Sequence, residues 1–284
     1  MTQNNFNSIV IDITNCEKEP IHILGKIQSY GILFCLEEPD LIIQQVSDNT
    51  KDVWDIEPQL LLGNPLTDFL SNSDIDFLIH CLNHKNIEHY NPFSLTYNQK
   101  KYQGIVHRTH QGLILEIEPI QVEKKSYPLS FYQLLKSSLS EIQESSSFEE
   151  LTQLIVKEVR CITGYDRVMI YQFQEDDHGV VIAEDKKPEL EAFLGLHYPA
   201  SDIPKQAREL YFKHWLRLIV DVQAESVNII PHFHPLDNQP LDLSDAVLRS
   251  VSHIHIEYLQ NMGVAATLAI SLNELPRRKD GRGF

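Results

Sequence analysis

The chain has 284 residues, of which 42% are hydrophobic, and its 24 Lys and Arg against 40 Asp and Glu give a formal net charge of −16. So acidic a chain is a poor partner for nucleic acid or an anionic membrane, because both favour a basic surface. Apolar runs fall short of the roughly 18 residues that a membrane-spanning helix needs. The length predicts two domains at about 150 residues each. The start of the chain does not resemble a signal peptide, and its four cysteines include no CxxC pair. We therefore expect a cytoplasmic protein with neither a disulfide framework nor a zinc ribbon.

The first half of the chain has the pattern of a small α+β domain. Short apolar runs separated by turn residues predict two strand pairs, and the stretch between the pairs indicates short helices and loops. We place this domain at residues 16–122, after a polar segment, residues 1–15, that we expect to be poorly ordered. The predicted elements are strands 32–36 and 41–46 joined through Pro39, helices and loops over 60–82, and strands 102–106 and 113–120 joined through Gly112.

The second half is also α+β, and we place a second domain at residues 147–272. Ser147 with Glu150 three residues later forms a capping box, and Gly164 is a typical helix stop, so a helix is predicted between them. A linker and helix, residues 123–146, join the two domains. The linker helix is predicted from Leu134, Leu135, Leu139 and Ile142. Further predicted elements are strands 167–173 and 179–183, a helix from Asp202 past Trp215 with Pro204 in its first turn, a helix over 245–262 and a strand within 264–272.

The segment from Pro199 to Pro204 is the first candidate for a binding role. Its prolines fix the backbone on either side of Asp202, and Ser201 or Asp202 can cap the following helix. A well-formed helix start explains the segment equally well. The following stretch has four basic residues against one acid, namely Lys205, Arg208, Lys213 and Arg217 against Glu209. This surplus is either a solvated face or an anion site, in which Arg presents a planar fork to a carboxylate.

Two His-x-His pairs are the second candidate. On a strand, such histidines share a face and can bind a metal ion, whereas on a helix they do not. Apolar spacing predicts that the second pair is helical, with His255 on the buried face beside Val251 and Tyr258 and with His253 pointing elsewhere. A metal site is therefore disfavoured, and His255 is either a core residue or faces a ligand. The pairs are His232 with His234 and His253 with His255.

Cys16 is the third candidate, although composition alone gives this thiol no function. Together with the other features it resembles the photosensory N-terminus of a phytochrome, most closely a bacteriophytochrome. The resemblance covers about residues 11–272 and rests on motifs that occur in order. They are Cys16-Glu-Lys-Glu-Pro-Ile-His-Ile23 with Gly25-Lys-Ile-Gln28; Tyr165-Asp-Arg-Val-Met-Ile-Tyr171; Pro199-Ala-Ser-Asp-Ile-Pro204 with Gln206-Ala-Arg208; Trp215-Leu-Arg217; Leu241-Asp-Leu-Ser244; and Leu248-Arg-Ser250 through His255 to Tyr258-Leu-Gln-Asn-Met-Gly-Val264.

The resemblance implies an α+β fold in which a PAS domain is followed by a GAF domain, both built of antiparallel sheets flanked by helices. It also implies that a linear tetrapyrrole, a bilin, binds in the GAF domain. The N-terminal segment near Ile27 is expected to pass through a GAF loop as a figure-of-eight knot. Such threading is rare in proteins and would not be predicted from general principles.

The resemblance also assigns roles to individual residues. Cys16 would form a thioether with a bilin vinyl group, and Arg217 and Arg249 would hold the two propionates. Asp202 would lie near the pyrrole N–H groups, and His255 would face the rings. The other expected contacts are Tyr171, Tyr198 and Tyr258 around the ring that isomerises, Tyr211 and Ser252 near the propionates, and Thr267, Ile203, Pro204 and Ile254 elsewhere in the pocket.

Ile254 indicates which bilin to expect. Plant and many cyanobacterial phytochromes attach their bilin through a GAF cysteine immediately before the equivalent of His255. Ile254 cannot form a thioether, and the cysteine that matches the family's attachment motif is Cys16. The resemblance therefore implies biliverdin, far-red absorption, and light sensing by isomerisation of a bilin double bond.

The sequence departs from the family after Leu272. Residues 273–284 form a polar tail where the family continues with further GAF strands, followed by a PHY domain and an output kinase. A sheet that lacks closing strands exposes an edge. We therefore expect effects on pocket closure, photoproduct stability and signalling output. A truncated or frameshifted product would explain the tail.

We expect a photoreceptor module without enzymatic activity, since no nucleophile triad or phosphate-binding glycine loop occurs in the sequence. The expected partners are the bilin and a second copy in a homodimer; neither nucleic acid nor membrane is expected, and the sequence does not name a signalling partner. Three alternatives stay open: a GAF module for another small ligand such as a nucleotide, a metal enzyme that uses the four histidines, and a phytochrome fragment that is not photoactive.

Overall fold

The structure, a computed structural model, describes residues 11–12, 14–120, 136–138, 140–142 and 144–272. The predicted linker, the helix positions Leu134, Leu135 and Leu139, and the tail 273–284 lie outside these residues. Contacts divide the chain into two units. The first unit combines Met1–Gln121 with Lys205–Phe284, and the second is Val122–Pro204, so that the division falls inside the predicted second domain.

The helices and strands of the described residues are as follows. In chain order they are β1 (Lys26–Ile27), β2 (Ile32–Glu37), β3 (Ile42–Ser47), α1 (Thr50–Trp54), α2 (Pro58–Leu61), α3 (Asn72–Leu82), β4 (Phe93–Tyr97), β5 (Lys100–Thr109), β6 (Gly112–Pro119), α4 (Phe148–Thr163), β7 (Arg167–Phe173), β8 (Gly179–Lys186), β9 (His197–Tyr198), α5 (Lys205–Lys213), β10 (Leu216–Ile219), β11 (Val227–Ile230), α6 (His253–Asn261) and β12 (Thr267–Ile270). Short 3-10 helices cover Cys16–Lys18, Leu66–Asp68, Ile87–Tyr90 and Ala200–Asp202.

An antiparallel sheet in the order β1-β11-β3-β2-β6-β5-β4 forms the centre of the first unit. Both predicted strand pairs are present, as β2 with β3 and β5 with β6, whereas β4 was not predicted. Apolar side chains bury both faces of β2, because Phe34 packs in one core cluster and Leu33 and Cys35 pack in another. Burial on both faces explains why β2 is a continuous apolar run rather than an alternating one.

Strand β1 is bordered on both edges by segments from late in the sequence. On one edge Lys26 and Ile27 pair with Asn228 and Val227 of β11. On the other edge Ile27 forms a bridge with Arg249, the Gln28 N–H donates to the Leu248 carbonyl at 2.7 Å, and the Ser250 N–H donates to the Lys26 carbonyl at 3.1 Å. These bonds attach the N-terminal segment to the 247–250 segment. The knot itself stays a prediction.

The second unit contains α4 and a three-stranded antiparallel sheet in the order β7-β8-β9. Ser147 is the N-cap of α4 as predicted, since the Glu150 N–H donates to Ser147 Oγ at 3.1 Å. The second half of the capping box differs, because the Glu150 carboxylate accepts from the Ser146 N–H at 2.8 Å rather than from that of Ser147. Gly164 ends the helix at φ 74°. The start and end of α4 therefore follow from local signals, as predicted.

Two predicted helices are shorter in the structure. The predicted 245–262 helix begins only at His253, because residues 248–250 pair with β1 as extended chain through the bonds from Gln28 to Leu248 and from Ser250 to Lys26. The predicted helix that starts near Asp202 is wrong at both ends.

Asp202 belongs to a separate 3-10 helix, and Pro204 precedes α5. Trp215 lies beyond the end of α5, is 77% exposed, and accepts a 2.8 Å hydrogen bond at its carbonyl from the Ser271 N–H, beside the β10–β12 pair. Pairing with β12 therefore replaces the last predicted helical turn.

Candidate functional site

The predicted site residues are divided between the two units. The first unit contains Cys16, Tyr211, Arg217, Arg249, Ser252, Ile254, His255, Tyr258 and Thr267, and the second contains Tyr171, Tyr198, Asp202, Ile203 and Pro204.

Two arginines form the most distinctive polar feature of the first unit. The Arg217 guanidinium donates to the carbonyls of Arg249 and Ser250 at 2.8 and 3.0 Å and to that of Val247 at 3.4 Å. Arg249 is only 7% exposed, and its Nη1 donates to the Ile21 carbonyl at 3.1 Å. Its Nε is buried and has no hydrogen-bond partner among the described residues. The structure therefore brings the two predicted arginines together on one backbone segment.

Burial makes these guanidiniums poorly compensated charges. Burial and, to a smaller extent, the nearby Arg217 charge lower the pKa of Arg249 to about 9. Burial also lowers the pKa of Arg217. In the described part of the chain, the hydrogen bonds of both groups end on neutral backbone carbonyls. A bound anion would supply the missing acceptor and offset the repulsion between the two cations.

Aromatic and imidazole side chains lie near the arginine pair. Burial raises the pKa of Tyr211, while the Arg217 and Arg249 charges act in the opposite direction. Burial and the Arg217 charge lower the pKa of His255, which favours the neutral imidazole. The His255 ring stacks on Tyr258 with centroids 6.2 Å apart and an interplanar angle of 11°.

The prediction for the buried face of α6 is only partly right. His255 is half-buried, but Tyr258 is 38% exposed, and Leu259 is the buried residue of the helix. His253 is exposed, as predicted. The error arises from the late start of α6, which removes about two turns of the predicted helix, including Val251 of the predicted face.

Cys16 lies in the 3-10 helix Cys16–Lys18, is half-buried and belongs to no disulfide. The Gln206 side chain on α5 donates to the Cys16 carbonyl at 2.7 Å. This bond fixes the Cys16 backbone against the helix that carries Tyr211. Cys16 is therefore held to an ordered element of the first unit.

The three other predicted residues of the first unit are half-buried. Ser252 is the N-cap residue of α6 but makes no side-chain capping bond, and Ile254 lies in the first turn of that helix. Thr267 begins β12, opposite Ile219 of β10.

Two tyrosines come together in the second unit. Tyr171 on β7 and Tyr198 on β9 have ring centroids 6.0 Å apart, and burial raises the pKa of Tyr198. Gly179 on β8 lies against Tyr171, since a Cβ at this glycine would be 1.8 Å from the Tyr171 Cζ. The sheet thus brings two predicted aromatic contacts together.

The Pro199–Pro204 segment follows β9 directly. The Asp202 N–H donates to the Pro199 carbonyl at 3.1 Å, which closes the short 3-10 helix. Asp202, Ile203 and Pro204 are half-buried. The segment is therefore an ordered turn that leads into α5.

Sequence reasoning missed several residues around the arginines. Glu116 and Gln28 bind the segment that carries Arg249, and Gln206 binds Cys16. Gln28 and Gln206 lie within the family motifs, but the sequence does not indicate which groups they bind. Glu116 occupies the polar phase of an alternating strand, a pattern that predicts exposure. Its burial has no local sequence signal.

The four motif histidines do not form a common centre in the structure. Among the described residues, no group of three His, Cys, Asp or Glu side chains is arranged to hold a metal ion. His234 is buried, whereas His253 is exposed. None of the helices in those residues has the length and apolar character needed to span a bilayer.

Two family models match the chain, the PAS fold over residues 16–120 and the GAF domain over residues 147–279. Cyanobacterial phytochrome B of Nostoc sp. is 45% identical over 276 residues, which cover 94% of this chain and 37% of that protein. The bacteriophytochrome of Xanthomonas campestris is 39% identical over 268 residues, covering 92% of this chain and 41% of that protein. The chain therefore spans well under half the length of these relatives.

Solved structures match over most of their own length. The chromophore-binding domain of a Stigmatella aurantiaca phytochrome is 41% identical with a TM-score of 0.84, covering 91% of this chain and 86% of that one. The chromophore-binding domain of a bacteriophytochrome from R. palustris is 36% identical with a TM-score of 0.85, covering 92% and 86%.

Proposed function

This chain belongs to the phytochrome family and has the PAS–GAF fold of bacteriophytochrome chromophore-binding domains, and on this premise we propose that it binds biliverdin covalently through Cys16 and senses light. Its relatives in this region are photoreceptor domains. We propose that this region of the chain is likewise a sensor without catalysis of its own.

The observation that carries the proposal is the pair of buried guanidiniums. Arg249 has a buried Nε without an acceptor, and Arg217 lies close enough to lower the pKa of Arg249. Biliverdin carries two propionate carboxylates, and planar guanidiniums bind carboxylates in fork geometry. The residues present therefore fit this group, and we propose that Arg217 and Arg249 each bind a propionate.

Cys16 is proposed as the point of attachment. Its thiol would add across a vinyl group, forming an S–C bond while the thiol proton passes to the vinyl carbon. Ile254 cannot supply a sulfur atom. The Gln206 bond to the Cys16 backbone supports the assignment, because it fixes the residue to an ordered helix.

The bound bilin would supply light absorption and double-bond isomerisation. We propose that His255 and Asp202 orient the pyrrole N–H groups, and that Tyr171, Tyr198 and Tyr258 pack around the ring that turns. The remaining contacts are proposed for Tyr211, Ser252, Thr267, Ile203, Pro204 and Ile254.

We further propose that the chain acts in the cytoplasm and that a second copy of it is the partner in a homodimer. The charge of −16 supports the absence of nucleic-acid binding. The signalling partner is left unnamed.

The decisive experiment is expression in a host that makes biliverdin, followed by a denaturing gel stained for zinc–bilin fluorescence. We expect a fluorescent band at 32.8 kDa that is lost in Cys16→Ser. Cys161→Ser is the matched control, because Cys161 is an exposed cysteine of the second unit and its loss should leave the band unchanged.

The other outcomes separate the alternatives. A band that persists in Cys16→Ser refutes the attachment site. Reversible uptake of another small ligand with no bilin adduct would favour a GAF binding module. A folded wild-type chain that takes up no bilin would be a phytochrome fragment that is not photoactive.

A further inference from the structure

Glu116 is a carboxylate buried inside the first unit. It lies on β6, is 1% exposed, and accepts hydrogen bonds from the N–H groups of Val247 at 3.0 Å and Leu248 at 2.6 Å. A buried carboxylate is tolerated only where such bonds replace its hydration. Both Glu116 oxygens are committed to two consecutive N–H groups, so Glu116 fixes the direction of the backbone at this point.

The residue that follows this pair is Arg249. Its position is fixed by four residues around the 247–250 segment. Glu116 accepts from the two N–H groups that precede Arg249. The Arg217 guanidinium donates to the carbonyls of residues 247, 249 and 250, and the Gln28 side chain donates to the Arg249 carbonyl at 3.4 Å. Leu248 is completely buried beside Gly31, where a Cβ would lie 2.8 Å from the Leu248 side chain. The segment therefore has little freedom to shift, and the Glu116 bonds are its only ones to a carboxylate among those described.

We propose that Glu116 is a positioning residue for carboxylate recognition, which holds the backbone before Arg249 so that the Arg249 guanidinium faces a bilin propionate. The inference rests on the proposed function. It assigns to the PAS domain an indirect part in propionate binding, because Glu116 lies in the PAS match and Arg249 in the GAF match.

Other titratable groups face Glu116. His107 Nδ1 lies 3.8 Å from its Oε1, and the Glu118, Arg217 and Tyr30 side chains lie near enough to interact electrostatically. Burial raises the pKa of Glu116 to about 7, so the carboxylate predominates at pH 8. The test is therefore carried out at pH 8.

The test compares biliverdin with biliverdin dimethyl ester, which lacks both carboxylates. Every chain in the test, including the wild-type reference, carries Cys16→Ser, so that the pigment is not attached covalently and its binding is reversible. We expect Glu116→Gln to weaken equilibrium binding of biliverdin about tenfold. Mutation of a residue that orients a metal ligand lowers metal affinity by a similar factor. The same variant should change binding of the dimethyl ester less than about twofold, because a neutral ester does not need an aligned guanidinium. Arg249→Ala is the reference for complete loss of that interaction.

Glu118→Gln is the matched control. Glu118 lies two residues along the same strand, is half-buried, and makes no bond to the 247–250 segment among those described. It should bind both pigments as the wild-type chain does. Equal binding of biliverdin by Glu116→Gln and the wild-type chain would overturn the inference, and so would equal losses for acid and ester. A wild-type chain that binds neither pigment would instead refute the proposed function, and the inference with it.

Amide hydrogen exchange keeps the inference testable if Glu116→Gln does not fold. In the wild-type chain at pH 8, the Val247 and Leu248 amides should exchange at least about a hundredfold more slowly than the amide of Glu225, an exposed loop residue. Val247 is the more informative, because it is only half-buried and its protection depends on Glu116. Exchange of Val247 and Leu248 at the Glu225 rate would show that the carboxylate does not hold this segment, and would contradict the proposal.

Discussion

Glu116 and His107 respond to pH in opposite directions although they lie side by side. Burial raises the pKa of Glu116 to about 7 from 4.5 and lowers that of His107 to about 4 from 6.5. Between pH 4.5 and 7 the folded state binds more protons at Glu116 than the unfolded state does, so this group's contribution to the free energy of unfolding falls as pH rises. Between pH 4 and 6.5 the unfolded state binds more protons at His107 than the folded state does, so the contribution of His107 to the free energy of unfolding rises with pH.

Two variants should separate these contributions. Relative to the wild-type chain, Glu116→Gln should gain in free energy of unfolding as pH rises from 4.5 to 7, and His107→Leu should lose as pH rises from 4 to 6.5. Each difference is limited to about 1.4 kcal/mol per pH unit, the value for one proton. Urea unfolding at a series of pH values measures both. Slopes of the same sign for the two variants would contradict the assignment.

The N-cap of helix α4 should contribute to the free energy of unfolding. Ser147 Oγ accepts the Glu150 N–H, one of the four N–H groups that lack an intrahelical partner. Ser147→Ala should lower the free energy of unfolding by about 1 kcal/mol, whereas Ser147→Asp retains a capping oxygen and should lose less than about 0.5 kcal/mol. Chemical denaturation followed by circular dichroism measures both. If the two variants lose equal stability, the cap is not what stabilises the start of α4.

The sequence predicts the elements whose ends are fixed by nearby residues, and it does not predict those whose ends are fixed by residues far away in the chain. The ends of α4 depend on Ser147, Glu150 and Gly164, which are close in sequence, so pattern alone predicts them. The late start of α6 depends on the pairing of residues 248–250 with β1, which is far away in sequence. No local pattern contains such a partner. For the same reason, the arginine pair could be named by resemblance to a family, whereas the carboxylate behind Arg249 could not.

Over the whole molecule, stability of the first unit should depend on the short N-terminal strand. Ile27 is completely buried and lies between β11 and the 248–250 segment. Ile27→Ala should cost about 2–5 kcal/mol, because the cavity it leaves is lined on both sides. Ile270→Ala, at a residue that is 50% exposed, is the control and should cost less than about 1 kcal/mol. Urea unfolding compares the two, and similar losses would show that β1 does not stabilise the unit.

Strand β1 lies between two segments from late in the sequence, so the ribosome synthesises its partners long after β1 itself. The Gln28 side chain bonds the Leu218 carbonyl 190 residues later, and the Arg249 side chain reaches back 228 residues to Ile21. At about 5–20 residues per second, the partner of Gln28 is made about 10–40 s after Gln28 itself. Throughout that interval the nascent chain presents Ile27 and its neighbours uncovered. Folding of the first unit must therefore wait until residues 218–249 have been translated, and chaperones have time to bind the early segment.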